Sequence, residues 1–214
     1  MSDRASWEER YRASHRVWSA KPNPSLRAEI EPLAPGEALD LGCGEGADAI
    51  WLAGRGWRVT AVDFARPALE RAAAAGHAAR VDHLIDWVEA DLTAWQPPER
   101  SFDLVNIQYL HLREDTSEIA LLRRAAEAVR PGGVLLIASH ERLPHGATHD
   151  RPATMDHEPP QMVLRTAEEN LEVLDLDESA WQVEVAERRS RAGHDPHGEP
   201  QPDHVLLVRR LAQR

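Results

Sequence analysis

The chain has 214 residues, and its 36 acidic side chains outnumber its 25 basic ones, which gives a formal net charge of −11 at pH 7. This length predicts one domain with a full core, and the acidic balance argues against a nucleic-acid partner, because proteins that follow phosphate backbones carry clustered lysine and arginine. The sequence has a single cysteine, no apolar run near the ~20 residues of a membrane span and no signal-peptide core, which predicts a cytoplasmic protein without a disulfide or a membrane partner.

Residues 1–34 are predicted to form a helical segment ahead of the core, which would occupy residues 35–214. One or two helices are expected over residues 3–34, interrupted at Lys21-Pro22-Asn23-Pro24. The interruption is expected because each proline removes a helix donor and disfavours helical geometry in the residue before it.

A glycine-rich loop follows the first predicted strand, residues 37–41. An acid precedes the loop and three glycines alternate with other residues in it: Asp40, then Gly42, Gly44 and Gly46. Glycine lets the backbone turn sharply and approach a ligand closely, and the helix that follows directs N–H groups at a negative group. The loop therefore predicts a cradle for a nucleoside-containing cofactor.

Strands and helices alternate along the middle of the chain. Helices are predicted at 46–53, 68–75 and 119–129, and strands at 58–62, 87–90, 102–109 and 134–138. The last two strands are nearly continuous apolar runs, which is typical of parallel strands buried on both faces. The alternation predicts an α/β fold, a single domain built on a doubly wound parallel sheet.

A long loop rich in proline, histidine and glycine is predicted over residues 140–160. Such a loop is a lid, a binding loop or a disordered insertion, and the sequence leaves these alternatives open. Its histidines have no compact ligand spacing, so no metal site is predicted from His140, His145, His149 and His157. The tail is predicted to hold a helix at 160–170, strands at 172–176, 181–185 and 205–208, and a connection at 188–202.

Two classes of cofactor fit the glycine loop. Gly42, Gly44 and Ala47 match the fingerprint of dinucleotide enzymes, with Asp63 about 20 residues further on, so an NAD-dependent oxidoreductase is one alternative. Asp40 favours the other class, because a carboxylate at this position would repel a pyrophosphate and attract an ammonium group. S-adenosylmethionine carries such an ammonium group and NAD does not.

From residue 39 to residue 140 the chain resembles the class I S-adenosylmethionine-dependent methyltransferases, whose first motif is close to its Leu39-Asp40-Leu41-Gly42-Cys43-Gly44-Glu45-Gly46. It is similar to the small members of the tellurite-resistance and thiopurine type. The resemblance implies a Rossmann-like, mostly parallel seven-stranded sheet with an antiparallel C-terminal hairpin. It also implies methyl transfer to a small molecule, with S-adenosylhomocysteine as the second product.

The resemblance also implies roles for individual residues. Asp63 would accept both ribose hydroxyls, Asp91 would receive the adenine amino group, and the segment from Asn106 to His111 would line the methionine and methyl end. Phe64 and Leu92 follow the two acids and would enclose the adenine, although core packing explains them equally well, and an Asp at a strand end is often a turn or cap residue. The cofactor-binding residues so implied are Asp40, Gly42, Cys43, Gly44, Gly46, Asp63, Phe64, Asp91, Leu92 and Asn106.

Three N-terminal aromatic residues, Trp7, Tyr11 and Trp18, have two interpretations. Small methyltransferases similar to this chain fold an N-terminal segment over the cofactor, so the three would form part of a lid. An aromatic face within about 6 Å of a sulfonium stabilises the cation by roughly 0.5–2 kcal/mol. The alternative is that they are packing anchors of the helix.

Methyl transfer requires alignment of the acceptor, exclusion of water and, for O–H or N–H acceptors, removal of a proton. Tyr109, His111 and His140 are the candidate bases, because each follows a strand at the ligand edge, although a histidine there is often an ordinary surface residue. Thiolate and metalloid acceptors need no base.

Several absences favour a small-molecule acceptor, whether thiol, metalloid or hydroxyl. The segment Asn106-Ile107-Gln108-Tyr109 lacks the prolines of the amino-methylating motif, and Cys43 lies in the cofactor loop, where it cannot attack cytosine. Lys21 is the only lysine, which excludes the lysine-containing tetrad of ribose methyltransferases. A non-catalytic S-adenosylmethionine-binding scaffold or regulator remains an alternative.

Overall fold

A computed structural model describes residues 3–110, 112, 115–141, 164–191 and 201–212. Its strands are β1 (Glu37–Leu41), β2 (Arg58–Asp63), β3 (Ile85–Glu89), β4 (Phe102–Gln108), β5 (Val129–His140), β6 (Trp181–Arg191) and β7 (Gln201–Arg210). Its helices are α1 (Asp3–Ala13), α2 (Pro24–Ile30), α3 (Ala47–Ala53), α4 (Arg66–Ala78), α5 (Asp115–Ala128) and α6 (Ala167–Leu174), with a 3₁₀ turn at Asp82–Leu84.

The strands form one seven-stranded sheet in the order β3-β2-β1-β4-β5-β7-β6. The pairs from β3 through β5 are parallel, whereas β7 pairs antiparallel with both β5 and β6. The mostly parallel Rossmann-like sheet with an antiparallel C-terminal hairpin is therefore confirmed. The strand order reverses between β1 and β4, where Asp40 lies beside Asn106. Doubly wound sheets bind their ligands at this kind of reversal.

Both faces of the central strands are covered, which explains their nearly continuous apolar sequences. On one face Leu39, Val105 and Leu135 pack in a core with residues of α5 and α6. On the other face Leu104 and Leu136 pack in a core with residues of α2 and α3. The polar residues at the strand ends are thereby held by two rigid layers.

Several local expectations are wrong. The helix predicted at 160–170 is displaced to Ala167–Leu174, and β6 and β7 extend into the connection predicted at 188–202. Helix α4 continues through Gly76, where the Trp87 ring lies 3.4 Å from the position that a Cβ would occupy, so this glycine permits close packing and does not end the helix. Residues 172–176, predicted as a strand, are the end of α6 and the turn after it. A capping box between Thr166 and Glu169 starts α6, and a short apolar run cannot by itself distinguish helix from strand.

The N-terminal segment forms two helices, as expected, with residues 14–23 as an irregular connection. Asn23 precedes α2 and Pro24 occupies its first turn, where a missing N–H costs nothing. Within the described residues, every helix is too short or too polar to reach across a lipid bilayer.

Candidate active site

The glycine loop turns through left-handed backbone at the end of β1. Gly44 and Gly46 have φ values of +52° and +79°, and the N–H groups of Gly42 and Cys43 donate to the Val62 carbonyl at 2.8 and 3.1 Å. A Cβ at Gly46 would lie 2.5 Å from the Trp87 ring. The loop conformation therefore requires glycine both for its dihedral angles and for the space available.

Asp40 is buried beneath this loop, with 2% of its surface exposed. Its Oδ1 accepts a hydrogen bond from Asn106 Nδ2 at 2.8 Å, while its buried Oδ2 has no hydrogen-bond partner among the described residues. Burial raises the pKa of Asp40 to about 8; the charges of Asp48 and Asp63 add to this and the Asn106 hydrogen bond opposes it. A buried carboxylate oxygen without a partner is costly unless a cationic or hydrogen-donating ligand satisfies it.

A buried chain of polar side chains holds Asn106 in its donating orientation. Gln108 Nε2 donates to Asn106 Oδ1 at 2.8 Å, and Ser25 Oγ of α2 donates to Gln108 Oε1 at 2.8 Å. Asn106 is fully buried, and its amide oxygen is engaged by Gln108, so its NH₂ group faces Asp40. Sequence reasoning included Gln108 only as part of the segment 106–111, and it missed Ser25, which lies in no recognisable motif.

Asp63 closes β2 and braces the glycine loop. Its Oδ2 accepts from the Gly44 N–H at 2.9 Å and its Oδ1 accepts from the Ala65 N–H at 2.8 Å. Burial raises the pKa of its carboxyl group, and the two backbone hydrogen bonds oppose that rise. Each carboxylate oxygen can accept more than one hydrogen bond, so these contacts orient Asp63 and still allow its oxygens to accept hydrogen bonds from a ligand.

The other predicted cofactor residues have varied surroundings. Asp91 is exposed, and its Oδ1 accepts from the N–H and hydroxyl of Thr93, which makes it a turn residue. Leu92 is buried in the core below the sheet edge, and Phe64 packs against the cluster around Tyr11. Burial raises the pKa of the Cys43 thiol, which keeps it protonated. Among the residues that the structure describes, no group of three metal-ligating side chains occurs.

The N-terminal aromatic residues lie over the glycine loop. Tyr11 is 4% exposed, and its hydroxyl oxygen accepts from Trp18 Nε1 at 2.9 Å and lies 3.2 Å from the position of a Cβ on Gly44. The Arg10 guanidinium lies 4.9 Å from the ring centroids of both Trp7 and Trp18. These two aromatic faces thus already hold a cation supplied by the chain.

Two residues that sequence reasoning missed, Glu45 and Arg71, hold the N-terminal segment in place through hydrogen bonds. Glu45 Oε2 accepts from the N–H groups of Val17 and Trp18 at 3.1 and 2.9 Å, and its Oε1 accepts from Arg71 Nη1 at 2.8 Å. Arg71 Nη2 in turn donates to the Ser14 carbonyl at 2.6 Å. The position of Glu45 inside the glycine loop was a usable signal, whereas nothing in the sequence singled out Arg71.

Asp48, at the start of α3, makes a second connection to the N-terminal segment. It accepts from the backbone N–H of Asn23 at 2.7 Å and from Asn23 Nδ2 at 2.8 Å. Asp48 is buried, and burial raises its pKa while the Asn23 hydrogen bonds lower it. The segment between α1 and α2 is therefore fastened near both of its ends.

A second polar cluster lies at the ends of β4 and β5. The Tyr109 hydroxyl donates to Asp203 Oδ2 at 2.7 Å, and His140 Nδ1 lies 3.3 Å from Asp203 Oδ1. The rings of Tyr109 and His140 are stacked, with centroids 4.3 Å apart. The structure thus brings together two of the three predicted bases, while His111 lies outside the described residues. Sequence reasoning missed Asp203, which is 94 residues from Tyr109.

Residues 38–133 match the family described as the methyltransferase domain. An uncharacterised methyltransferase of Mycobacterium bovis is 38% identical over 54% of this chain and 56% of its own length. The cypemycin N-terminal methyltransferase of a Streptomyces species is 35% identical over 50% of this chain and 42% of its own length. The alignments thus span about half the length of these relatives, or less.

Solved structures share the fold over most of the chain. The N-methyltransferase NodS from Bradyrhizobium japonicum, in complex with S-adenosylhomocysteine, has a TM-score of 0.68 at 22% identity and covers 98% of this chain and 99% of its own. The 1,6-didemethyltoxoflavin-N1-methyltransferase of Burkholderia thailandensis has a TM-score of 0.69 at 22% identity, with coverage of 97% and 87%.

One relative bears on the expectation that nucleic acid is not a partner. A ribosomal RNA small subunit methyltransferase of Alcanivorax borkumensis is 32% identical over 52% of this chain and 34% of its own length. Net charge therefore does not exclude an RNA substrate by itself. The match of residues 38–133 to the methyltransferase domain, the sheet order and the fold shared with solved methyltransferases all support the interpretation of this chain as a class I S-adenosylmethionine-dependent methyltransferase.

Proposed function

We propose that this chain binds S-adenosylmethionine at the ends of β1 and β2 and methylates a small molecule held beside Tyr109 and His140. One observation carries the proposal: a buried Asp40 oxygen without a described partner lies beneath a glycine loop that no other residue type would allow. A buried carboxylate suits an ammonium group and disfavours a pyrophosphate, which argues against NAD.

The residues around the loop fit the cofactor. Asp40 would pair with its ammonium group, Asp63 with its ribose hydroxyls, and Asp91 with its adenine amino group. S-adenosylmethionine, when bound, supplies a methyl group on a positively charged sulfur. The loop of Gly42, Cys43, Gly44 and Gly46 would let the backbone approach the cofactor closely. Asn106 would orient Asp40 through its hydrogen bond.

Residues 1–34 would act as a lid on the core formed by residues 35–214. The support is that Tyr11 lies directly over Gly44 and that Glu45 fixes the backbone of Trp18. Trp7 and Trp18 enclose Arg10, so they would anchor the lid. Phe64 packs with Tyr11 of this segment, and Leu92 is buried in the core; the two would enclose the adenine.

A small acceptor is supported by the relatives and by charge. Two of them are named as an N-terminal methyltransferase of cypemycin and an N1-methyltransferase of 1,6-didemethyltoxoflavin. A net charge of −11 disfavours phosphate backbones. His140 and Tyr109 would accept or position the acceptor proton, and His111 stays a candidate for the same role.

Titration calorimetry tests the cofactor half of this proposal. Wild-type protein should bind S-adenosylmethionine and S-adenosylhomocysteine at micromolar concentrations and should not bind NADH. Asp40→Asn and Asp63→Ala should lose most of this affinity, while Asp86→Asn, an exposed acid on β3, should retain it. A preference for NADH would refute the assignment.

Turnover tests the acceptor half. Formation of S-adenosylhomocysteine should be measured against panels of small amines, phenols, thiols, metalloid anions and ribosomal RNA. Turnover with a small molecule supports the proposal, and turnover with RNA alone contradicts it. Cofactor binding without turnover on any of these acceptors would instead favour the non-catalytic scaffold.

A further inference from the structure

We propose that Asp203 is a positioning residue that fixes His140 as the general base and Tyr109 as its companion, so that the acceptor is a hydroxyl or a neutral nitrogen that carries an N–H. The inference rests on the proposed methyl transfer. It goes further by assigning a task to a residue at the start of the antiparallel β7, and by excluding thiolate and metalloid acceptors, which need no base.

The strand register brings the three residues together. His140 is the last residue of β5, and it is paired across the antiparallel ladder with Asp203, so the two side chains lie on the same face of the sheet. Tyr109 directly follows β4, and its N–H donates to the Ala138 carbonyl at 2.8 Å. The cluster therefore sits on the edge at which β1 and β2 carry the glycine loop and Asp63.

The backbone of Tyr109 is held in an unfavourable conformation. Its φ is +52°, a left-handed conformation that is unfavourable for a non-glycine residue. This conformation accompanies the 2.7 Å hydrogen bond to Asp203 and the stacking on His140. Strain of this kind persists only where the surroundings over-determine it, and it is common at functional sites.

Asp203 is suited to orient an imidazole. It is 5% exposed, and its two oxygens are directed at two different partners, the Tyr109 hydroxyl and His140 Nδ1. A carboxylate at Nδ1 selects the tautomer that carries its proton there, which leaves Nε2 as the basic nitrogen. Stacking on Tyr109 restricts rotation of the ring. The same division of labour occurs wherever a carboxylate orients a catalytic histidine.

Other charges face this cluster from β6 and α2. Arg189 is the cross-strand neighbour of Asp203, and its guanidinium contacts Glu187 and lies 2.5 Å from a Glu29 oxygen. These two acids compensate the positive charge of the arginine beside the cluster.

The chemical step balances without a further reagent. A lone pair of the acceptor oxygen or nitrogen forms the new bond to the methyl carbon, and the electrons of the carbon–sulfur bond return to sulfur as a thioether. The acceptor proton passes to His140 Nε2 and from there to solvent. Asp203 keeps its hydrogen bond with Nδ1 and stabilises the imidazolium while it exists.

The test is the tautomer of His140, measured from long-range ¹H–¹⁵N correlations of the imidazole in the S-adenosylhomocysteine complex. The protein has 11 histidines, so the His140→Gln variant serves to assign the signals. In wild-type protein the neutral ring should carry its proton on Nδ1. Asp203→Asn should shift the population towards Nε2–H, Asp203→Glu should restore it in part, and Asp86→Asn should leave it unchanged.

The wild-type spectrum alone can overturn the inference, because a ring protonated mainly on Nε2 contradicts it even if Asp203→Asn fails to fold. An unchanged tautomer in a folded Asp203→Asn variant would also overturn it. With an amine or phenol acceptor, kcat of Asp203→Asn should fall by roughly 10²–10⁴-fold, while KM for S-adenosylmethionine should stay within about threefold. A kcat of Asp203→Asn equal to that of wild-type protein would refute the positioning role of Asp203.

The outcome is separable from that of the proposed function. If wild-type protein binds neither sulfur nucleoside, the proposed function fails whatever the tautomer. If it binds both and turns over, but only with thiols, the methyl transfer stands and the role of Asp203 falls.

Discussion

The two halves of the sheet edge are built differently. In the proposed cofactor half, which consists of the ends of β1 and β2 with the glycine loop, acidic side chains mainly bond to backbone N–H groups, as Asp63 does to Gly44 and Ala65. In the proposed acceptor half, Tyr109, His140 and Asp203 bond through their side chains. The first half therefore depends on backbone conformation, and the second depends on side-chain identity. Substitutions should therefore distinguish the dependence on backbone conformation from the dependence on side-chain identity.

The largest loss of stability is expected at Gly46 of the cofactor half, where the surrounding side chains leave no space for a Cβ. Gly46→Ala combines left-handed backbone with a Cβ 2.5 Å from Trp87 and 2.8 Å from Ala72, and should lower the free energy of unfolding by about 2–5 kcal/mol. Gly132→Ala is the matched control, because its φ is +89° but nothing lies within 4 Å of its Cβ. It should cost about 1–2 kcal/mol. Equal losses in urea denaturation would contradict the packing argument.

Asp40→Asn should separate binding from stability. The folded protein holds the pKa of Asp40 at about 8, above the ordinary 3.8, so folding favours its protonated form. The stability that this form contributes is complete below about pH 4 and is lost as the pH rises towards 8. At pH 8 the variant should therefore be more stable than wild type by about 1–3 kcal/mol.

The same variant should bind S-adenosylmethionine at least about tenfold more weakly at pH 8. Wild-type affinity should itself rise between pH 6 and pH 8 as Asp40 becomes ionised. Thermal unfolding and calorimetry at both pH values measure the two effects, with Asp86→Asn as the control. A variant that is less stable and binds normally would refute the electrostatic account.

Arg71→Ala should loosen the N-terminal segment. The substitution removes the donor to Glu45 and to the Ser14 carbonyl, contacts of a partly exposed arginine that are worth about 1–2 kcal/mol. Amide exchange of Val17 and Trp18 should accelerate several-fold. Arg66 lies on the same helix as Arg71, and Arg66→Ala, which removes an ion pair with Glu89 of β3, should leave that exchange unchanged. Identical exchange in the two variants would disprove the tether.

The smallest effect is expected for Tyr11→Phe. It removes a hydroxyl that accepts from Trp18 Nε1 at 2.9 Å but keeps the buried ring, so stability should fall by about 0.5–1.5 kcal/mol. Indole fluorescence should report the change at Trp18. A loss above about 3 kcal/mol would mean that the hydroxyl does more than hold the lid.

Most of the sheet was predictable from the sequence because each strand carries its own signal. The buried runs of β4 and β5 and the alternating glycines after β1 are local patterns, and they also locate Asp40 and Asp63. The strand predicted at residues 172–176 was wrong, because a short apolar stretch fits a helix equally well and only packing on the core decides.

The sequence by itself thus determined the fold class, the cofactor loop and the acids at the strand ends, since these follow from periodicity and from the special backbone of glycine. Tertiary structure alone decided which distant residues meet. Arg71 reaches Glu45 through the packing of α4, and Asp203 reaches Tyr109 and His140 through the antiparallel register of β7. Neither contact has a local signature, because each depends on how whole elements are placed and not on neighbouring residues.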